Sequence, residues 1–366
     1  MNNQNYVFKE NSSIVEKINS IRENTLKRKT NLREEQLKRP ISYWTKDDRL
    51  RDKIGKEFTI ILRTKGCSWA LSKHGGCSMC GYYLDAAKRK ISSSNLINQF
   101  DYAFNDKLNE IESDIYKYNL KLFNSGSFLD ENEISKEVRN HIYNRISNVE
   151  KIEEVVIESR MEYITTDKLA EIRDTLNRKY LEIAIGLESV DDYVRNNYIN
   201  KGVLFKDFKR VVNKCKENDI GVKVYLLFKP PFLNEQAAID DCTYSIKKLI
   251  DLDVNSISIN PTNVQKGTLV EYLWFQNRYR PPWYYSLFKT IRNSVSQEDL
   301  NNVRLLSDPS GAGTKRGIHN CLKKECETYA REKLKNFVLS QNLDELEQQE
   351  FKCDCKKKYN LKKNYI

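Results

Sequence analysis

Six short runs rich in β-branched and apolar residues recur along the middle of the chain, beginning near Phe58, Asn119, Glu153, Leu181, Gly221 and Asn255. Four of the five intervals between successive starts match one strand plus one crossover helix, the period of a parallel βα unit; the first is longer and is explained if the loop after the first strand is an inserted cofactor cradle. The helical signal is clear at Ile134, Val138, Ile142 and Ile146, with Asp130 and Glu133 at capping-box spacing before them. Thr166 and Asp167 likewise precede Leu169, Ile172 and Leu176. Six units in series predict an α/β fold, a partial (β/α)6 TIM-like barrel. A doubly wound open sheet fits the same periodicity. Three regions are expected: a helical, basic N-terminal segment over 1–54, a core barrel over 55–300 and a Cys- and Lys-rich C-terminal region over 301–366. In the first, Ile14, Val15, Ile18 and Ile21 recur at helical spacing before Lys27, Arg28 and Lys29.

Composition narrows the class. The 366 residues carry 62 Lys and Arg against 51 Asp and Glu, a net charge of +11, which points to an acidic partner, nucleic acid first. A solvated lysine-rich surface is the plain alternative. With 13 Gly and 7 Pro, collagen-like and low-complexity architectures are out. The longest apolar run, Val222 to Phe228 with Lys223 interrupting it, is far short of the roughly 20 residues that span a bilayer. Met1 to Asn5 are polar, so neither a secretory leader nor a membrane partner is expected, and the protein reads as cytoplasmic.

Nine cysteines in a reducing compartment mean metal or catalysis more often than disulfides. Cys215 and Cys242 stand alone in amphipathic stretches and read as small buried hydrophobes. Cys67, Cys77 and Cys80 sit in one glycine-rich loop after the first strand, Gly66-Cys-Ser-Trp-Ala-Leu-Ser-Lys-His-Gly-Gly-Cys-Ser-Met-Cys-Gly81. Three close thiolates suit an iron–sulfur cluster in which one iron lacks a protein ligand. With His74 as a fourth donor the same loop would make a structural zinc site. Cys321, Cys326, Cys353 and Cys355, with His319 as a competitor, suit a closed tetrahedral zinc site, and a second iron–sulfur cluster is the alternative.

Polar groups follow the strands where a barrel keeps its site: Asn124-Ser125-Gly126-Ser127, Glu158-Ser159-Arg160, Gly186-Leu187-Glu188-Ser189, Phe228-Lys229-Pro230-Pro231 and Asn260-Pro261-Thr262. Taken singly, each also reads as an ordinary polar βα turn. Lys229 and Asn260 are expected at the barrel mouth by position alone.

The Cys-x9-Cys-x2-Cys loop behind the first strand resembles the radical S-adenosylmethionine (SAM) enzymes, in particular their Elp3-like branch, and departs from the commoner Cys-x3-Cys-x2-Cys spacing. The stretches Asn124-Ser-Gly-Ser-Phe-Leu-Asp130, Lys229-Pro-Pro-Phe-Leu-Asn-Glu235, Asn260-Pro-Thr-Asn-Val-Gln265, Tyr279-Arg-Pro-Pro-Trp283 and Arg316-Gly-Ile-His-Asn-Cys321 resemble the archaeosine-biosynthesis radical SAM family. The likeness runs from about Leu62 to Cys355. Ile318, where that family is expected to carry proline, and the wide Cys321-x4-Cys326 spacing are departures that touch the tail.

The resemblance implies a [4Fe–4S] cluster on Cys67, Cys77 and Cys80, and SAM held by Ser125, Gly126, Ser127, Arg160 and Glu188. One electron, from a separate donor, would cleave SAM to a 5′-deoxyadenosyl radical. The implied substrate is tRNA whose D-loop base carries a lysine–7-cyano-7-deazaguanine adduct, built by a lysine-transferring archaeosine synthase subunit. The radical would drive carbon–nitrogen cleavage of that adduct, which makes the protein a lyase. No acid–base residue is nominated. Another Elp3-like tRNA-modifying enzyme is the alternative within the superfamily, and a non-catalytic zinc-stapled RNA-binding protein the alternative outside it. The Lys-rich end after Cys355 would track phosphates. Tyr279, Trp283, Tyr284 and Tyr285 read first as packing around the Pro281-Pro282 turn and second as stacking platforms for bases.

Overall fold

The computed structural model describes residues 12–27, 32–87, 89–347 and 353–365. Met1 to Asn5, Arg28, Lys29 and Lys352 therefore lie outside the described residues. One sheet runs through the molecule in chain order: β1 (Ser42–Arg49), β2 (Ile54–Leu62), β3 (Tyr118–Asn124), β4 (Ile152–Glu158), β5 (Tyr180–Glu188), β6 (Gly221–Phe228), β7 (Ser256–Pro261) and β8 (Arg304–Leu306). β1 pairs antiparallel with β2, and every later pair is parallel. Sequential parallel order is what successive right-handed crossovers produce, and it gives a curled half-barrel rather than a doubly wound sheet.

β1 and β8 escaped the sequence reading, which began the sheet at Phe58 and ended it after Asn255. Tyr43, Trp44 and Thr45 favour a strand, but Lys46, Asp47, Asp48 and Arg49 mask the alternation, as charges on an edge strand do. β8 is three residues long, too short for any period, and is fixed by pairing: Arg304 N–H donates to the Asn255 carbonyl at 3.1 Å.

The crossovers carry the helices. After α1 (Ser12–Leu26) come α2 (Ser93–Ser113), α3 (Lys136–Ser147), α4 (Thr166–Thr175), α5 (Phe205–Glu217) and α6 (Glu235–Ile250), each between consecutive strands of β2 to β7. α7 (Leu269–Phe275) and α8 (Tyr284–Ser294) bridge β7 to β8, and α9 (Lys324–Ser340) and α10 (Cys355–Lys362) complete the chain. α2 begins at Ser92, whose side chain accepts from Asn95 N–H at 3.2 Å, and buries Leu96, Phe100 and Phe104 on the sheet. α5 buries Phe208, Val211, Val212 and Cys215 at helical spacing. Cys215 and Cys242 are both core residues. Truncating a fully buried side chain such as Phe208 to Ala costs about 3–5 kcal/mol in a core of this kind.

The two faces of the sheet differ. Phe58, Ile60, Leu120, Leu122, Val224, Leu226, Ile257 and Ile259 pack into the main core with the helices. The alternate residues, among them Glu57, Thr59, Lys121, Lys223 and Ser258, line the barrel interior. Lys223 aside, buried charge there is paired: Arg304 holds Glu154 at 2.7 Å and Glu182 at 2.9 Å, while Lys121 holds Asp48 at 2.7 Å and also Glu57. Those carboxylates hold the Lys121 ammonium charged against its burial, and removing one partner would strand a buried charge.

The C-terminal region packs back onto this frame. Ala330, Leu334 and Phe337 of α9 enter the main core. Lys335 pairs with Asp47 of β1 at 3.2 Å, and Arg49 donates to the Leu339 carbonyl at 3.4 Å. No helix among the described residues is long and apolar enough to cross a membrane.

Candidate functional site

The loop from Gly66 to Gly81 folds over the carboxyl ends of the strands because its backbone is tied on every side. Cys67 N–H donates to the Ser125 carbonyl at 3.2 Å, and Ser78 N–H to the Ile199 carbonyl at 2.8 Å. Asn200 donates to the carbonyls of His74 (2.8 Å) and Gly76 (2.9 Å). From behind, Arg22 of α1 donates to the carbonyls of Cys77 (3.0 Å) and Cys80 (3.2 Å) while lying over the Tyr83 ring. Gly76 takes φ +76°, and a Cβ there would meet Arg22 Nη1 at 2.6 Å and the Ala70 backbone at 2.8 Å, so this turn is built for glycine.

All three thiols line one cavity of about 360 Å³. Ser125, Gly126, Arg160, Glu188 and Asn260 line it as well, so groups from β3, β4, β5 and β7 converge on the cysteine loop. Burial raises the Cys67 thiol pKa, opposed by the Arg160 guanidinium, and pushes Cys80 up to about 12 with Cys77 adding to it. His74 stacks on Trp69 at 4.3 Å and does not line the cavity.

Ser125 Oγ and Asn124 Oδ1 are buried without a hydrogen-bond partner. Ser127 sits one step behind the cavity wall. Its N–H donates to Glu133 Oε1 at 2.8 Å, and its hydroxyl accepts from Arg160 N–H at 3.2 Å. Glu133 thus clasps the loop, since Oε2 also accepts from Asn124 Nδ2 (2.9 Å) and the Thr64 hydroxyl (2.5 Å). The sequence had placed Glu133 in a capping box, but α3 starts later, with Ser135 as its N-cap. Burial raises the Glu133 pKa to about 7.

Arg160 pairs with Glu162, lies over Trp69 at 5.3 Å and donates to the Lys201 carbonyl at 3.3 Å. Glu188 has φ +71° and accepts from Lys201 Nζ at 2.9 Å. Glu158, named with the third strand end, and Lys201, which the sequence did not mark, also line the cavity. Burial lifts Glu158 to about 7, with Lys201 opposing. Lys201 follows an irregular turn rather than a strand end, so no positional signal marked it. Lys229 corrects its expected place: its ammonium turns away to Glu235 (2.8 Å) and the Arg280 carbonyl (2.8 Å), whereas Asn260 does face the mouth.

In the tail, the thiols of Cys321, Cys326, Cys353 and Cys355 all lie within 4.8 Å of one another, the one such group among the described residues. Cys321 and Cys353 are 3.7 Å apart, Cys326 and Cys355 3.8 Å. Tetrahedral thiolates at a Zn–S distance of about 2.3 Å would stand roughly 3.8 Å apart. His319 Nδ1 instead contacts the Gly317 carbonyl at 2.7 Å, outside the quartet. Tyr279, Trp283 and Tyr284 are buried, and Arg280 stacks on Trp283 at 3.6 Å, so this stretch packs the tail against the barrel.

A half-barrel whose first βα loop turns three cysteines into a cavity at the carboxyl ends of its strands is the architecture of the radical SAM class. No protein-family model matches the chain. It is 38% identical over 319 residues to the archaeosine synthase subunit beta of Methanosarcina acetivorans, covering 87% of this chain and 88% of that one. To the archaeosine synthase subunit beta of Thermococcus kodakarensis it is 36% identical over 313 residues, 86% and 94% of the two chains. An uncharacterised protein of Methanocaldococcus jannaschii is 40% identical over 323 residues, 88% and 86% of the two. Among solved structures, the Methanocaldococcus infernus Elp3 with residues 1–46 deleted has a TM-score of 0.49 at 14% identity, covering 66% of this chain and 59% of that one. The chain belongs to the archaeosine synthase subunit beta family.

Proposed function

We propose that this protein is the radical SAM lyase that completes archaeosine in tRNA, cleaving a carbon–nitrogen bond of a lysine–7-cyano-7-deazaguanine adduct. The supporting observation is one cavity at the strand ends holding three thiols and two unpartnered polar atoms, in a chain of this family. The donor set fits the group: three sulfurs suit a [4Fe–4S] cluster with one iron left for an outside ligand. Cys67, Cys77 and Cys80 would hold the cluster, and Ser125, Gly126, Arg160 and Glu188 would hold SAM. Bound there under reduction, the pair supplies a 5′-deoxyadenosyl radical able to take a hydrogen atom from an unactivated carbon.

The chain's own work is orientation and exclusion of water. The Ser125 hydroxyl and the Asn124 carbonyl lack partners and suit an amino or ribose group. Arg160, charged and braced by Glu162 and Trp69, suits a carboxylate. Glu188, fixed by Lys201, offers its remaining oxygen to a hydroxyl or ammonium. Ser127 and Glu133 position the loop without touching the ligand. A lysine-transferring subunit would supply the adduct, and an external donor the electron.

Anaerobic incubation of the reconstituted protein with SAM, reductant and adduct-bearing tRNA tests this by nucleoside mass spectrometry. Archaeosine should form and the adduct disappear. Release of 5′-deoxyadenosine while the adduct persists would overturn the substrate assignment.

A further inference from the structure

A second cavity, of about 460 Å³, occupies the barrel interior below the first and shares Phe123, Tyr225, Asn260, Asp308 and Pro309 with it. Its wall is charged, and its anions are already engaged. Lys121 takes Asp48 and Glu57, Lys46 takes Asp308, and Lys335 takes Asp47. Arg331, which also lines the cavity without an ion pair to a described residue, is exposed, so Lys223 is the exception among the buried cations of the wall. It is 4% exposed, lines the cavity, and makes neither a hydrogen bond nor an ion pair with any described residue. Its ammonium lies 5.6 Å from the ring centre of Tyr225, two residues up the same strand. A buried ammonium with no anion in direct contact is costly, and an arriving anion would relieve that cost.

The position of Lys223 sets what kind of anion. Tyr225 is on the rim shared with the thiol cavity, and Lys223 is one step deeper on the same face, about 7 Å along the strand. A ligand reaching from the upper cavity must therefore carry its negative charge at the end of an arm of several bonds. The aliphatic portion of that arm would pass Phe123 and Leu306, which are apolar wall. An α-amino-acid end on a lysyl arm has that shape: four carbon–carbon bonds, about 5 Å, separate its ε and α carbons.

We propose that the interior cavity seats the amino-acid end of the substrate's arm and that Lys223 receives its carboxylate. This rests on the function proposed above and adds to it the subsite that separates a lysyl adduct from a simple amine adduct. Burial lowers the Lys223 pKa to about 8, with Lys121 and Arg304 adding to the effect and Asp48 and Glu182 opposing it. A carboxylate docking there would hold the ammonium charged.

The test uses reconstituted full-length protein and two probes that differ only by the carboxylate, Nε-acetyl-L-lysine and N-acetylcadaverine, with binding followed by calorimetry. The wild type should bind the lysine probe at least tenfold more tightly. Lys223→Met should erase the preference, and Lys223→Arg should retain most of it. Equal affinity of the wild type for the two probes, or an undiminished preference in a folded Lys223→Met protein, overturns the proposal, and the wild-type comparison needs no variant to fold. With adduct-bearing tRNA, Lys223→Met should raise KM. Failure of the wild type to convert that tRNA would count against the function above, while the probe pair would still decide the subsite.

Discussion

The two cysteine groups hold their sulfurs in opposite ways. In the tail, four thiols crowd within 4.8 Å and are shut in by Trp283, Tyr285 and Tyr359. At the barrel mouth three thiols are spread around a cavity they share with Arg160 and Glu188. A donor set that closes on itself suits a single ion and a structural task, since a filled tetrahedron has no corner for substrate. A set that faces a cavity leaves room for a ligand. The supports differ accordingly: the tail is held by side-chain packing, the mouth loop by hydrogen bonds between its backbone and the side chains of Arg22, Asn200 and Gln265, the first two donating and the last accepting.

The sharpest way to break this contrast is to delete one thiol from each group. Cys77→Ala should abolish reductive SAM cleavage, read as 5′-deoxyadenosine by chromatography, while shifting the unfolding free energy by about 1 kcal/mol or less. Cys326→Ala should do the reverse, costing on the order of 4 kcal/mol in stability while residual SAM cleavage survives below the melting transition. Treating the wild type with a chelator should reproduce the second result in calorimetry, as loss of an ion from the tail quartet would. If instead Cys326→Ala melts normally and Cys77→Ala unfolds the protein, the assignment of roles is inverted.

Next in size is a pH effect confined to the mouth. Glu133 titrates near pH 7 in the folded chain against 4.5 when unfolded, so the folded state binds the extra proton. Its favourable contribution is complete below pH 4.5 and is lost as pH rises through 7, an effect of about 3 kcal/mol. Melting temperature should fall across that window, and Glu133→Gln should flatten the slope. A wild-type profile that is level from pH 5 to 8 would remove Glu133 from its place as a neutral clasp.

The smallest test compares two glycines with the same φ of +76°. Gly76→Ala adds a clash with Arg22 and Ala70 to the left-handed backbone cost, whereas at Gly313 in the tail the added Cβ would meet nothing nearer than Glu327 Cβ at 3.6 Å. Gly313→Ala should cost about 1 kcal/mol, and Gly76→Ala about 1–3 kcal/mol more, by denaturant titration.

The same contrast shows what could be read in advance. β2 to β7 were legible because each is bounded by polar turns and obeys a period. β1 and β8 were not, being a charged edge and a three-residue stub. Both cysteine groups were legible from spacing, and so was Arg160, because a strand end fixes where the next side chains go. What was hidden depends on side-chain direction after irregular backbone. Lys229, at φ +60°, swings to Glu235, and Lys201 enters the cavity from a loop. Lys223 interrupts the apolar run from Val222 to Phe228; only curling of the sheet turns it inward to line the interior cavity.

The return of the C-terminal region to β1 has a practical consequence. Lys335 meets Asp47, Arg49 meets Leu339, and β8 extends the sheet beyond β7. A chain truncated after residue 300 would therefore be an unfinished structure, with the free flank of β7 offered to neighbours and the buried Glu154 and Glu182 deprived of Arg304. Fragments meant to isolate the redox half of this protein should keep the tail, or they will aggregate for reasons unrelated to iron.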